Sequence, residues 1–152
     1  MTKTNDTASK IIRLGPEDAA HFDAALDLFA EVFGDPENYS SARPSVDYRK
    51  DLLSRNEVLF FVALAEERLS GALVAYELPK FEQERSEFYI YDLAVHPAYR
   101  RKGVATALIR AVQAAARGGV VFVQADHGDD PAVALYTKLG LREDVLHFDI
   151  LP

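Results

Sequence analysis

The sequence has 152 residues, of which 49% are hydrophobic and 27% charged, a balance typical of one globular domain with a single core. It contains no cysteine, which excludes disulfides and thiol catalysis and fits a cytoplasmic protein, and no apolar run long enough to span a membrane. The net charge of −7 argues against nucleic-acid binding, so the acidic excess serves either solubility or the attraction of cations. The histidines are scattered singly, so we expect no metal site.

The first third of the sequence predicts a polar tail, one strand and two helices. Residues 1–9 lack the apolar core of a secretory signal, so we expect a flexible tail before a single domain at residues 10–152. Lys10–Leu14 predicts a short strand, and apolar residues at helical spacing predict helices over Glu17–Phe33 and Ser45–Ser54. The polar loop between the helices is expected to be mobile and to border a substrate site.

The rest of the sequence predicts three antiparallel strands followed by alternating helices and strands. The strands joined by hairpins are Val58–Ala65, Ala72–Leu78 and Glu87–Val95. Helices over Gly103–Arg117 and Asp130–Gly140 then alternate with strands over Val120–Asp126 and Asp144–Ile150. The order β-α-α-β-β-β-α-β-α-β predicts an α/β fold with a mixed, mostly antiparallel sheet and helices on both faces. Hairpins before the glycine motif exclude a doubly wound dinucleotide fold.

Residues 90–109 carry the most informative pattern, a strand that leads through a basic loop into a helix. Pro97 ends the apolar run from Ile90 to Val95, because proline has no N–H to donate to a sheet. The basic residues 100–102 then run into Gly103, which lets the backbone approach a ligand closely. The helix that follows directs unpaired N–H groups and its positive dipole end toward the same point. The pattern predicts a binding site for a phosphorylated cofactor.

This loop resembles the cofactor signature of the GNAT N-acetyltransferases. Arg100, Gly103 and Ala105 match its (Gln/Arg)-x-x-Gly-x-(Gly/Ala) pattern, and the segments DLAVHPAYR and DDPAVALYTKLG match both halves of the family's cofactor site. From about Ile11 onward the chain also resembles the aminoglycoside 3-N-acetyltransferases of the gentamicin-modifying class. The resemblance implies a GNAT fold, acetyl-CoA as cosubstrate, no metal, and a polycationic substrate that suits the charge of −7.

The resemblance assigns the cofactor to two backbone segments. The pyrophosphate of acetyl-CoA is expected on the amides of residues 100–105, which are Arg100, Arg101, Lys102, Gly103, Val104 and Ala105. The pantetheine arm is expected to pair like an added strand with Leu93, Ala94 and Val95. A bulge in this strand would splay it from its neighbour, and the Val95 N–H would stabilise the oxyanion of the tetrahedral intermediate.

Tyr136 occupies the position where the family places the tyrosine that hydrogen-bonds the cofactor sulfur. A phenol at close range can serve the thiolate leaving group, although a core tyrosine on the apolar face of its helix is the alternative. The family has asparagine seven residues earlier, where this chain has Asp129. An aspartate can accept a hydrogen bond from the cofactor arm but cannot donate one, and Asp129 and Asp130 can instead be helix caps.

The acceptor amine must lose a proton, which requires a base or an ordered water. Asp92 is the first candidate, because it lies in an apolar strand just before the expected bulge, where an unpaired charge is costly. Glu87, Asp126 and Asp149 are expected to bind ammonium groups of the substrate, or else to be ordinary surface charges. The spacing of His127 and His147 does not require a functional role for either residue.

The resemblance implies transfer of acetyl from acetyl-CoA to the 3-amino group of an aminoglycoside, which would confer antibiotic resistance. Direct attack in a ternary complex follows from the lack of a cysteine nucleophile. The alternatives are a GNAT enzyme for another small polyamine or amino sugar, and a binding module without turnover. The resemblance also implies a homodimer, without membrane or nucleic-acid partners.

Overall fold

The computed structural model describes residues 8–152, so most of the predicted tail at residues 1–9 lies outside the described residues. The strands are β1 (Lys10–Arg13), β2 (Val58–Ala65), β3 (Arg68–Pro79), β4 (Ser86–Val95) and β5 (Val120–Val123). The helices are α1 (Ala19–Phe33), α2 (Pro36–Ser40), α3 (Val46–Ser54), α4 (Val104–Ala116) and α5 (Asp130–Leu139), with one 3₁₀ turn at Pro97–Tyr99.

The strands form one mixed sheet in the order β1-β2-β3-β4-β5. Neighbours from β1 to β4 are antiparallel, while β4 and β5 run parallel on either side of the α4 crossover. A parallel pair requires such a crossover, because its two strands must start at the same end of the sheet. The predicted α/β class with a mostly antiparallel sheet is confirmed.

The core lies on both faces of this sheet. On one face α4 contributes Leu108 and Val112, each fully buried, against Leu73 and Ile90 of the strands. On the other face α1 packs aromatic residues such as Phe29 against Val62 and Val74. Helices therefore cover both faces of the sheet, as the predicted order of helices and strands implies.

The β2–β3 hairpin is tighter than the sequence predicts. Its turn consists of Glu66 and Glu67, which both have positive φ, at 49° and 67°, and β3 begins at Arg68 instead of Ala72. Gly71 therefore lies inside a strand, where an added Cβ would come within 2.9 Å of Val104 Cγ1 and 3.1 Å of the Ala94 carbonyl oxygen. This glycine allows α4 to approach the sheet closely, instead of forming the turn.

Three predictions about the second half of the chain are wrong in detail. The strand predicted at Asp144–Ile150 pairs with no other strand within residues 8–152, and β5 ends at Val123 instead of Asp126. The N-cap of α5 is Asp129, whose carboxylate accepts a hydrogen bond from the Ala132 N–H at 3.3 Å. Asp130 is the first helical residue instead of the cap, because the Asp129 carboxylate satisfies an unpaired donor of the first turn.

Candidate active site

A bulge in β4 determines which side chains face each side of the sheet. The pairing with β3 matches Ile90 with Ala75 but Asp92 with Val74, so Tyr91 is an extra residue in β4. Ile90 faces α4, and without the bulge Asp92 would face α4 too, since side chains alternate along a strand. The extra residue turns Asp92 to the α1 face. The bulge therefore comes immediately before Asp92, whereas the sequence prediction places it after Asp92.

The parallel strands β4 and β5 separate beside this bulge. Their pairing ends at Ile90 and Val123, while β4 continues to Val95. The His96 N–H donates to the Ser70 carbonyl on the β3 side at 2.8 Å. Neighbouring amides of a strand point to opposite sides, so the N–H groups of Val95 and Leu93 point into the gap. This gap, which we call the β4–β5 cleft, presents the strand edge that the predicted pantetheine arm needs.

The loop after β4 forms a concave turn of backbone amides at the start of α4. Arg101 and Gly103 have positive φ values of 61° and 77°, with Gly103 as the N-cap of α4. An added Cβ at Gly103 would meet no atom within 4 Å, so glycine serves the backbone conformation and leaves open space in front of the loop. Unpaired N–H groups at a helix start, combined with left-handed residues, form an anion-binding nest.

Basic side chains surround this nest. Arg100 donates from Nε to the Val95 carbonyl at 3.3 Å and so ties the loop to the end of β4. Lys102 holds its Nζ 5.8 Å from the centre of the Tyr99 ring. Arg101 and Lys102 are exposed, which leaves both charges available at the rim of the nest. The arrangement suits a pyrophosphate, as the sequence predicts.

Asp92 has a partner that the sequence does not predict. The hydroxyl of Tyr39, on α2, donates a hydrogen bond to Asp92 Oδ2 at 2.8 Å. Burial raises the pKa of Asp92 above its usual value, and the hydrogen bond from Tyr39 opposes this rise. Burial and the bond to Asp92 also raise the pKa of Tyr39, so its phenol stays protonated. The pair combines a half-buried carboxylate of increased basicity with a donor that fixes its orientation.

Aromatic packing holds Tyr39 in place. Its ring centre lies 5.7 Å from those of Phe29 and Phe33 on α1. The loop that carries α2 is further tied to α1 by Arg43, which forms ion pairs with Asp23 at 3.9 Å and with Asp27. The loop that the sequence predicts between the first two helices therefore contains a short helix whose Tyr39 reaches Asp92. In the sequence, the one sign of the contact between Tyr39 and Asp92 is that Tyr39 is the single aromatic residue of an otherwise polar loop.

A row of aromatic side chains extends from Asp92 across the α1 face of β3, β4 and β5. Tyr76 and Tyr91 make an edge contact at 5.8 Å, Tyr91 meets Tyr89 at 5.9 Å, and Tyr89 stacks on Phe122 at 4.8 Å. Tyr89 also donates to Gln124 Oε1 at 2.9 Å. Tyr91 is 61% exposed, so the row offers an aromatic surface to a ligand beside Asp92.

Tyr136 lies on the other side of the sheet. It packs half-buried against the α4-side core, which Leu93 and Val95 also contact. Burial, with the negative charge of Asp129, raises the pKa of Tyr136 to about 12. The phenol thus remains a hydrogen-bond donor at neutral pH. The ring of Tyr136 can therefore pack in the core while its hydroxyl donates a hydrogen bond.

The remaining predicted acidic residues do not gather around Asp92. Glu87 lies at the other end of β4, where its carboxylate pairs with Arg85 at 3.2 Å and Lys80 at 3.7 Å. Asp126 is exposed in the loop after β5, on the cleft side. Asp149 lies in the exposed segment after α5 and contacts His147 Nε2 at 2.9 Å. Their roles in substrate binding stay predictions.

Within residues 8–152, no group of three histidine, aspartate or glutamate side chains could hold a metal ion. None of the helices in this part of the chain is both long enough and apolar enough to cross a membrane.

Comparisons with known proteins agree with this geometry. Residues 22–141 match the family model described as "Acetyltransferase (GNAT) family". An aminoglycoside acetyltransferase from an uncultured soil metagenomic sample is 49% identical, with a TM-score of 0.91 over 95% of this chain and 99% of that one. Another aminoglycoside acetyltransferase of such origin, solved with sisomicin, is 34% identical, with a TM-score of 0.86 over 97% of this chain and 98% of that one.

A curated relative shares a shorter region. An N-alpha-acetyltransferase RimI of Mycobacterium tuberculosis (strain ATCC 25618 / H37Rv) is 34% identical over 82 residues, which are 49% of each chain. The alignment therefore spans about half the length of this relative.

Proposed function

Because the chain belongs to the acetyltransferase (GNAT) family, we propose that it transfers acetyl from acetyl-CoA to the 3-amino group of an aminoglycoside of the gentamicin class. One observation carries the proposal: β4 separates from β5 beside an open anion-binding nest, with the half-buried carboxylate of Asp92 just beyond the bulge. The cleft can receive a long amide-containing cosubstrate, and the carboxylate can receive a proton from an amine.

The cofactor would lie along the cleft from the nest to the bulge. Its pyrophosphate would accept hydrogen bonds from the amides of residues 100–105, with Arg101 and Lys102 contributing charge. Its pantetheine amides would pair with the free edge at Leu93–Val95, as a strand adds to a sheet. The side chains of Leu93 and Val95 already pack in the core, so only their backbone groups take part.

The reaction proceeds by direct attack in a ternary complex. The substrate ammonium loses a proton to Asp92, directly or through water, and the neutral amine attacks the thioester carbonyl. The C–N bond forms, and the Val95 N–H stabilises the negative oxygen of the tetrahedral intermediate. The positively charged nitrogen of the intermediate gives its second proton to water, and collapse with cleavage of the C–S bond then leaves the amide and the thiolate of CoA.

The pKa of Tyr136 defines its part in this last step. A thiol ionises near a pKa of about 8.5, well below the value of about 12 for Tyr136. The phenol therefore keeps its proton and stabilises the thiolate by a hydrogen bond, instead of transferring the proton completely. Asp129, which caps α5, contributes its negative charge to this raised pKa.

The net charge and the solved relatives support the proposed substrate class. The net charge of −7 favours a substrate with several ammonium groups, and the aromatic row beside Asp92 suits the faces of sugar rings and cations. Two similar structures are named aminoglycoside acetyltransferases, one of them in complex with sisomicin. Asp126 and Asp149 are proposed to bind further ammonium groups. Glu87 is the weakest of these candidates, since Arg85 and Lys80 already neutralise it.

An acetyl-CoA consumption assay with gentamicin, spermidine and a peptide α-amine tests the substrate class. We expect turnover with gentamicin and little with the other two. Turnover with spermidine only would favour the alternative of a small-polyamine acetyltransferase and contradict the aminoglycoside proposal. Binding of acetyl-CoA without turnover of any amine would favour a binding module.

Expression in a susceptible bacterium should also raise gentamicin resistance. The cytoplasmic location stays a prediction.

A further inference from the structure

The bulge in β4 places two consecutive side chains, Tyr91 and Asp92, on the same face of the sheet. Asp92 bonds to Tyr39 on the α1 face. The Tyr91 ring contacts Tyr76, whose side chain packs against the core of that same face. In a regular strand consecutive side chains point to opposite faces, and the extra residue of the bulge removes this alternation. An aromatic ring therefore lies next to the carboxylate of the proposed general base.

The Tyr91 ring is exposed, yet its neighbours fix its orientation from two sides. It meets Tyr76 at 5.8 Å and 78°, and Tyr89 at 5.9 Å and 76°, both in the edge-to-face geometry that stabilises aromatic pairs. Tyr89 is itself held by stacking on Phe122 at 4.8 Å and by its bond to Gln124 at 2.9 Å. Tyr91 is 61% exposed, so it presents a ring of fixed orientation to solvent.

The two tyrosines that hold this ring, Tyr76 and Tyr89, stay uncharged at neutral pH. Burial raises the pKa of each phenol, and the neighbouring Tyr91 and Asp92 add to both rises. Neutral tyrosine rings keep the negatively polarised faces that attract cations and the C–H groups of saturated rings. The row is therefore a neutral aromatic surface beside the carboxylate of Asp92.

The carboxylate at the other end of β4 is already paired. Glu87 lies two positions before Tyr89, so it is on the same face of the strand. It forms ion pairs with Arg85 at 3.2 Å and with Lys80 at 3.7 Å. An open-chain polyamine laid along β4 from Asp92 would bring its second ammonium group toward these two cations, which repel it. The surface therefore suits a ring with its amine at Asp92 better than an open chain charged at both ends.

The aromatic row crosses the strands instead of following one of them. Tyr76 on β3 pairs in register with Tyr89 on β4, and Tyr89 with Phe122 on β5. Neighbouring strands are about 4.8 Å apart, so the row extends roughly 10 Å across the sheet. A surface of this shape suits a compact ring, whereas a peptide substrate would lie along a strand edge and pair with its backbone.

We propose that Tyr91 determines specificity for the amine substrate by binding the face of a second ring, which is joined to the ring whose amine lies at Asp92. Tyr76 and Tyr89 are positioning residues, because they hold the Tyr91 ring. The placement of the amine at Asp92 rests on the proposed function, whereas the second ring is an additional requirement. The enzyme therefore prefers amines of two joined rings over single-ring amines and over open-chain polyamines.

Steady-state kinetics with amines of one and two rings test the role of Tyr91. The two amines are 2-deoxystreptamine, which is a single ring, and neamine, which carries one amino sugar on that ring. Tyr91→Ala should lower the ratio of kcat/KM for neamine to kcat/KM for 2-deoxystreptamine about tenfold, as expected for one lost aromatic contact. The loss should lie mainly in KM, because the contact is the same in the ground state and the transition state. A ratio equal to that of the wild type would overturn the proposal.

Further variants separate the aromatic face from apolar area and from folding. Tyr91→Phe keeps the ring and should keep the wild-type ratio, whereas Tyr91→Leu keeps apolar area without an aromatic face and should resemble Tyr91→Ala. Phe81→Ala is the control, because Phe81 is 100% exposed in the connection between β3 and β4, and it should leave the ratio unchanged. All variants should unfold cooperatively in urea. Loss of the preference in Tyr91→Phe, or its retention in Tyr91→Leu, would contradict a role for the ring face.

A double variant tests Tyr76 as a positioning residue. Tyr76→Leu should lower the same ratio of kcat/KM values, because the Tyr91 ring loses one of its two edge contacts. The double variant Tyr76→Leu, Tyr91→Ala should lose no more than Tyr91→Ala alone, since Tyr76 acts through the Tyr91 ring. Losses that add in the double variant would contradict this role.

Calorimetric binding of amines in the presence of CoA distinguishes a failure of the second-ring site from a failure of the proposed function. Neamine should bind about tenfold more weakly to Tyr91→Ala than to the wild type, and the affinity for spermidine should fall less. Equal losses for both amines would show a site for any ammonium group and overturn the second-ring role. Binding of neamine that depends on Tyr91, without turnover of gentamicin, would refute the proposed function and still support the second-ring site.

Discussion

Tyr39 donates a hydrogen bond of 2.8 Å to Asp92 across the α1 face of the sheet, and this bond connects the loop between α1 and α3 to β4. Asp92 reaches Tyr39 because the bulge at Tyr91 turns it away from α4. Phe29 and Phe33 hold the Tyr39 ring from behind. The bond therefore links loop position to the basicity of the proposed general base.

Tyr39→Phe should move the acidic limb of the pH–rate profile to higher pH. The Tyr39 hydroxyl lowers the pKa of Asp92, so its removal raises that pKa, and Asp92 then stays protonated and inactive to a higher pH. A hydrogen bond to a charged group contributes about 1.5–3 kcal/mol, and half-burial reduces this, so we expect a shift of about one pH unit. The measurement is kcat/KM against pH.

Tyr48→Phe is the matched control for this variant. Tyr48 is a tyrosine of α3 that is 61% exposed, and its hydroxyl has no side-chain partner in the described structure. Its profile should coincide with that of the wild type. An unshifted profile for Tyr39→Phe would show that Asp92 does not govern the acidic limb.

Asp92→Asn should lower the rate by about 10²–10⁴-fold, as expected for loss of a general base. Asp47→Asn, at an exposed aspartate of α3, should leave the rate unchanged. A variant that weakens substrate binding but keeps the maximal rate would demote Asp92 to a binding residue.

Asp92→Asn should gain stability relative to the wild type as pH rises. Burial raises the pKa of Asp92 in the folded state, so the folded state binds more protons than the unfolded state between the two pKa values. The free energy of unfolding then falls as pH rises from the pKa of Asp92 in the unfolded state, about 3.9, through its raised pKa in the folded state. Asparagine lacks this ionisation, so the difference in Tm between variant and wild type should become more favourable to the variant from pH 3 to pH 7. A constant difference would contradict the raised pKa.

Tyr136→Phe should lower kcat by about 10–100-fold, which corresponds to one hydrogen bond to a charged leaving group. The KM for acetyl-CoA should change little if the bond strengthens only as the thiolate forms. Because the pKa of Tyr136 is raised to about 12, its ionisation should produce no alkaline limb below about pH 11. An unchanged kcat would show that Tyr136 serves packing alone.

Gly103→Ala should raise the KM for acetyl-CoA and lower stability by about 1–2 kcal/mol, because alanine is strained at a φ of +77°. Gly34→Ala is the control, since Gly34 has φ of +63° and likewise no atom within 4 Å of an added Cβ. It should show a similar loss of stability, measured by urea unfolding, with an unchanged KM. Equal effects of both variants on KM would refute the nest as the cofactor site.

The sequence predicts the sheet, four of the five helices in the described residues and the loop before α4, because these depend on local patterns. Val58–Ala65 is an uninterrupted β-rich run, and its bounds are predicted without error. Gly103 follows a basic loop and precedes a helical apolar face, so the nest can also be read directly. Propensity and periodicity act over a few residues, and both agree with the final fold here.

The missed features depend on contacts between distant residues. The bond from Tyr39 to Asp92 spans 53 positions and needs the Tyr91 bulge, which no local pattern reveals. The turn at Glu66 and Glu67 lacks the glycine or asparagine that usually marks positive φ, so Gly71 misleads the prediction. The segment Asp144–Ile150 has the sequence pattern of a strand, but within residues 8–152 it pairs with no other strand.

Locating the acetyl group on the product tests the central claim most directly. Gentamicin acetylated by the enzyme would be purified, and its nuclear magnetic resonance spectrum compared with that of the unmodified drug. We predict a single acetyl group on the 3-amino nitrogen of the 2-deoxystreptamine ring, with one CoA thiol released for each amide formed. Acetylation at another amino group, or no acetylated product under conditions where acetyl-CoA binds, would contradict the account.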